Sequence, residues 1–191
     1  MGLILLLVII AAVAFWVLGA YNRLIALKNQ VLNAWKQIDV QLKRRHDLIP
    51  NLVNTVKGSM DFERSTLEAV ISARNKAVGA SGVRATAQAE GELTQALGRL
   101  FALTENYPDL KSNQNVLQLQ EELTSTENKI GFSRQHYNDV ATQYNTTQMQ
   151  FPTSLVAGMA KASPAELWEI EDAGDRAVPV VDLGAPRPPA A

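Results

Sequence analysis

Residues 2–21, GLILLLVIIAAVAFWVLGAY, carry no charged side chain and nothing more polar than a tyrosine. A run of about 18 or more such residues is long enough for a helix to cross a hydrocarbon core ~30 Å thick. No proline follows until Pro50, and a glycine such as Gly19 is tolerated in a membrane helix. The next stretch, YNRLIALKNQVLNAWKQIDVQLKRRHD, is polar but keeps an apolar stripe. Met1 to Asp47 therefore reads as one helix that begins in a membrane and ends outside it, roughly 65–70 Å long at the α-helical rise.

A cleaved signal peptide would need a basic leading region, a shorter apolar core and a small-residue cleavage site. Here only the α-amino group is positive and the apolar run is too long, so a retained anchor is expected. The cations nearest the membrane, Arg23, Lys28 and Lys36, all follow the span. The positive-inside rule then predicts an outside N-terminus and a cytoplasmic domain.

Beyond the span, Val31, Trp35, Ile38, Leu42, Ile49, Leu52 and Val56 fall on one heptad seam, interrupted by Arg45. That pattern belongs to a helix packed in a bundle or coiled coil. Pro50 lacks an amide proton and disfavours helical angles at the residue before it. The rod is therefore expected to end or kink near Asp47–Ile49, with Asp47 as an N-cap. A second helix is predicted from about Leu52 to Val78, carrying Leu67, Val70 and Ile71, before a Gly79–Gly82 turn. A third runs from Val83 to about Asn106 with Leu93, Leu97, Leu100 and Leu103. The fourth, from about Asn113 to Gln150, places Val116, Leu119, Leu123, Thr126, Ile130, Ser133, Tyr137, Val140 and Tyr144 at strict three- and four-residue spacing.

Short links between long helices predict an all-α fold: a transmembrane helix continuing into an antiparallel up-down four-helix bundle. The expected division is an anchor at residues 1–21, a bundle at 22–152 and an acidic, proline-containing tail at 153–191. That tail reads as poorly ordered toward its end, GAPRPPAA, with AVPVVDL as a short β-prone run. With Leu155, Val156, Met159, Leu167, Trp168 and Ile170 to bury, residues 153–183 are expected to dock on the bundle or on a neighbouring subunit, with Val180-Val181 in extended form. Phe151-Pro152 should lie near Tyr21.

The run AWKQIDVQLKRRHDLIPNLVNTVKG closely resembles the signature of the LemA family. ENYPDLKSN, ELTSTENKIGFSRQHYNDVATQYN, the following FP and LWEIEDAGDRAVPVVDL extend the likeness in the same order. The resemblance covers roughly Tyr21 to Leu183. It implies a single-pass anchor and an antiparallel four-helix bundle, with no established enzymatic activity. It also implies bacterial envelope and membrane-organising roles, one of them tied to magnetosome formation, and it supplies no catalytic residue.

The residues themselves concentrate no chemistry. Cysteine is absent, which excludes disulfides, thiolate metal sites and cysteine nucleophiles. A di-iron bundle site needs Glu-x-x-His on two helices, whereas His46 and His136 follow Lys43 and Ser133. Two distant histidines do not make a zinc site, and both are expected on helix surfaces or ends. Gly79-x-x-Gly82 lacks the lysine of a phosphate loop. A net charge of −1 gives no general pull toward nucleic acid. Lys43-Arg44-Arg45 reads as a solvated turn, with Arg45 on the seam paired to a carboxylate of another helix. Tyr137-Asn138 and Tyr144-Asn145, seven residues apart, share a face and read as core, with tyrosine hydroxyls reaching polar partners.

No catalytic, cofactor-binding or metal residue is assigned, and no cofactor is expected. The predicted function is a non-enzymatic, membrane-anchored scaffold or assembly protein. Its expected partners are the lipid bilayer through residues 2–21, further copies of the chain in a homo-oligomer, and unidentified membrane or envelope proteins. The alternative is a bundle that senses a ligand or chaperones a client.

Overall fold

The first helix of the computed structural model, which describes residues 1–58 and 64–169, is longer than expected: α1 runs unbroken over Gly2–Lys57, 56 residues. At about 1.5 Å per residue it extends roughly 84 Å. Eighteen of its residues near the N-terminus average a hydropathy of 3.0, and none is buried. Beyond them the heptad seam is buried as predicted, except that Trp35 is only partly so.

Pro50 sits inside this helix and does not end it. The expected break at Asp47–Ile49 is therefore absent, and Asp47 is no N-cap. Instead Asp47 accepts a 2.8 Å bond from Lys43 one turn earlier, which holds its carboxyl below the usual range. The reason the helix survives is tertiary. A proline at 50 leaves the His46 carbonyl without its helical donor, and the Arg74 guanidinium, from the second helix, donates to that oxygen at 3.3 Å. An orphaned carbonyl costs about 1–3 kcal/mol when buried, and this bond supplies the donor that Pro50 removes. Ile49 and Leu52, on either side of Pro50, are fully buried and gain only if the helix continues.

The second helix, α2, accordingly starts later than expected, at Arg64–Gly79. Leu67 and Val70 are buried, whereas Ile71 and Val78 are exposed. The chain then turns at Gly82, whose φ of 85° falls where a side chain is strained, into α3, Val83–Thr104. A single turn, α4, Pro108–Lys111, leads to α5, Gln114–Met149. The Asn113 side chain caps α5 by accepting from the Asn115 and Val116 amides. Of the nine seam positions on α5, only Leu119 and Ser133 are less than fully buried. Another short turn, α6, Ser154–Ala157, follows. No strand occurs among the described residues.

Contacts fix the directions. Trp35 meets Tyr137 with ring centroids 5.6 Å apart, and Arg45 meets Glu127 at 2.9 Å, so α1 and α5 run antiparallel in constant register. Lys76 meets Glu92 at 2.6 Å, which makes α2 and α3 an antiparallel hairpin. The core has two parts. In the distal part α1, α2, α3 and α5 all contribute, with Leu52, Val70, Leu93, Leu100 and Leu123 among the buried residues. In the part nearer the apolar span, α1 and α5 are covered by residues of the 156–168 stretch, with Ile38, Ile130, Tyr137, Ala160 and Trp168 inside. The first portion of the tail is thus docked on the helices. Ile170, AVPVVDL with Val180-Val181, and GAPRPPAA lie outside the described residues.

Candidate functional site

Two polar arrangements meet where the two cores join. The first is a charge network that α1, α3 and α5 build together. Arg45, at the interrupted seam position, is 2% exposed and reaches Glu90 of α3 at 3.3 Å and Glu127 of α5 at 2.9 Å. The expectation that Arg45 pairs with a carboxylate of another helix is met, twice over. Its second amino group donates to Thr94 Oγ1 at 2.6 Å, and that hydroxyl in turn donates to the Glu90 carbonyl. The Lys43–Arg45 cluster lies mid-helix, not in a turn: Lys43 and Arg44 are exposed while Arg45 points inward.

His46 departs from the prediction. It is buried, and its Nε2 lies 2.6 Å from Glu90 Oε1, which as a carboxylate oxygen can only accept. Nothing near His46 in sequence announces this partner, 44 residues away. The available signal is Glu90 itself, an acid within the alanine-rich face of α3. His136 is exposed, as expected. Thr94 donates to Glu90 and accepts from Arg45, and with Glu127 the network fixes three helices in register. Among the described residues no group of three or more histidine, aspartate or glutamate side chains is placed to hold a metal ion.

The second arrangement holds an extended segment, residues 165–168, against α5. Asn145 donates to the Ala165 carbonyl and accepts from the Ala165 amide, both at 2.8 Å. Asn138 does the same for Trp168, at 3.0 and 2.8 Å. Between them the Tyr137 hydroxyl donates to the Glu166 carbonyl at 2.7 Å. Burial, and then the nearby Glu166 carboxylate, raise the Tyr137 phenol above its ordinary value. Two asparagines seven residues apart lie two helical turns from each other on one face, and their primary amides present to an extended backbone the donor and acceptor that a neighbouring strand would. Sequence analysis located Tyr137 and its polar reach but missed the asparagines' part. The Tyr144 hydroxyl is buried and has no partner.

Trp168, 4% exposed, is the anchor of this segment. Its ring lies 5.9 Å from Trp35 and takes the Arg134 guanidinium at 5.4 Å. Burial lowers the Arg134 pKa, Glu127 opposes that shift and Arg45 adds to it. Arg45, Glu90, Thr94, Glu127, Arg134 and Trp168 line a cavity of about 220 Å³, beside which Trp168 Nε1 and Arg134 Nε are buried without partners. A larger cleft of about 530 Å³, lined by Val53, Leu67 and Ile71, lies between α1 and α2, away from the buried charges.

Fold and site together define an all-α protein with one long apolar-tipped helix, a distal helical hairpin and a tail clamped by side-chain amides. The LemA family profile matches residues 34–183, and the chain belongs to that family. It is 30% identical over 145 residues to the protein LemA of Metamycoplasma hominis, covering 75% of this chain and 66% of that protein. It is 25% identical over 195 residues to magnetosome protein MamQ 2 of Paramagnetospirillum magneticum, covering 87% and 72%. Against magnetosome protein MamQ of Magnetospirillum gryphiswaldense the figures are 24% over 196 residues, again 87% and 72%. This is a membrane-associated bacterial protein.

Proposed function

We propose that the protein is a membrane-anchored scaffold that acts by protein–protein contact, without catalysis, in organising a bacterial membrane. One observation carries this reading. Phe132 on α5 is 74% exposed, and Val40, at the same height on α1 by the register above, is 63% exposed. Each offers an apolar contact on the outer side of its helix, at a height pinned by the buried charges. The relatives named as magnetosome proteins support it. The alternative, a ligand- or client-binding bundle, draws on the cavity beneath Trp168, where two donors lack partners.

Photo-cross-linking tests the scaffold. A photoreactive residue at Phe132 of the full-length protein in its native membrane should give discrete protein adducts that the same residue at exposed Gln118 does not. Identical adduct patterns from the two positions would remove the basis for the scaffold. A cytoplasmic bundle is part of this proposal, supported by Arg23, Lys28 and Lys36, which follow the span. A membrane-impermeant thiol reagent should therefore leave Ser81→Cys unlabelled in intact cells, and efficient labelling would reverse the orientation.

A further inference from the structure

The turn that ends the paired helices carries a set of apolar side chains that the fold leaves uncovered. Met149, Phe151, Leu155 and Met159 are 69%, 81%, 68% and 69% exposed. Val156 and Ala160, at the alternate helical positions, are 2% and 7% exposed and hold the turn to the core. The uncovered set is therefore on a turn fixed in place and not on a frayed end. The α1–α5 register fixes its height. Continuing from the Trp35–Tyr137 and Arg45–Glu127 contacts brings Met149 level with Arg23 and Phe151 level with Tyr21, where the apolar span ends.

Charge points the same way. From Met149 to Lys161 the only charged residue is Lys161, which suits a layer that excludes carboxylates. Glu166, the first acid after the turn, has its carbonyl at the Tyr137 hydroxyl, which the register places level with Trp35. Ala165 is fixed at Asn145 and Trp168 at Asn138, and by the same register Asn138 stands opposite Ala34, about 20 Å of helix beyond Tyr21. That is about two Debye lengths at physiological salt. Among the described residues, the acids Glu166 and Glu169 thus stand away from the level of the turn.

We propose that residues 149–161 form a second membrane contact, with Phe151, Leu155 and Met159 seated in the interfacial layer of the bilayer crossed by residues 2–21. This rests on the reading of those residues as an anchor. It gives the bundle two points of attachment and so a fixed tilt on the membrane.

The chain has no cysteine, so single labels are unambiguous. Full-length Phe151→Cys, Leu155→Cys, Phe15→Cys and Val78→Cys, each carrying an environment-sensitive fluorophore, are reconstituted in phosphatidylcholine vesicles with or without doxyl-labelled lipid. Labels at 151 and 155 should shift to the blue, be quenched by the doxyl lipid as the span label at 15 is, and be several-fold less open to aqueous iodide than the distal label at 78. Iodide access equal to that at 78 would overturn the proposal. Protection from both quenchers would also overturn it, since a protein surface would then cover the turn. A label at 15 that escaped the doxyl lipid would refute the anchor itself, and a quenched label at 15 beside an unquenched 151 refutes the second contact alone.

Discussion

Glu90→Leu should lower the stability of the full-length protein by roughly 3–5 kcal/mol, the usual cost of breaking a buried ion pair from one side. Glu90 is 3% exposed and serves both Arg45 and His46. Without it Arg45 keeps one carboxylate, Glu127, whose side chain is 40% exposed, beside the Thr94 hydroxyl, and His46 loses the one partner its Nε2 has. In a chain of this size the change corresponds to about 6–20 °C in melting temperature, read by helical circular dichroism in detergent. Replacing Arg45, His46 and Glu90 together with apolar residues of similar volume should restore most of that loss, because three charged or polar groups are no longer desolvated. If Glu90→Leu melted with the wild type, the network would not hold α1, α3 and α5 together.

Trp168→Ala should act elsewhere and differently. The indole fills the site between Trp35 and Arg134, and truncating a buried aromatic costs about 3–5 kcal/mol. Residues 165–168 are held by five side-chain–backbone bonds to one helix face and can detach without unfolding α5. The global melting temperature should therefore move little. Hydrogen-exchange protection at the Ala165 and Trp168 amides should fall by roughly a hundredfold or more, since each 1.4 kcal/mol is tenfold. Raising the pH should loosen the same segment. The Tyr137 phenol has its folded pKa raised, so its contribution is whole below the unfolded value of about 10 and is lost as pH rises through the folded one. Unchanged protection in Trp168→Ala would show that the asparagine bonds alone hold the segment.

Much of this architecture was legible in the chain. The apolar run is long and apolar enough to cross a membrane, because its composition offers water no foothold over twenty residues. The seams of α1 and α5 are legible because burial repeats with the helical period, and the structure buries those positions. Arg45 gave itself away as a charge in an apolar row. Tyr137 did so as an amphipathic ring on a seam.

The rest was decided by groups that meet only after folding. Pro50 predicts a break by every local rule, and the helix passes through it because Arg74, 28 residues beyond His46, takes over the freed carbonyl. His46 looks like a surface residue until Glu90 arrives from α3. Asn138 and Asn145 look like ordinary polar positions until an extended segment lies along them. Periodic burial is written in one stretch of sequence, because each residue's share of it depends only on its own apolarity. A hydrogen bond needs both its partners, and here the second partner stands 20 to 44 residues away, where no local pattern can reveal it.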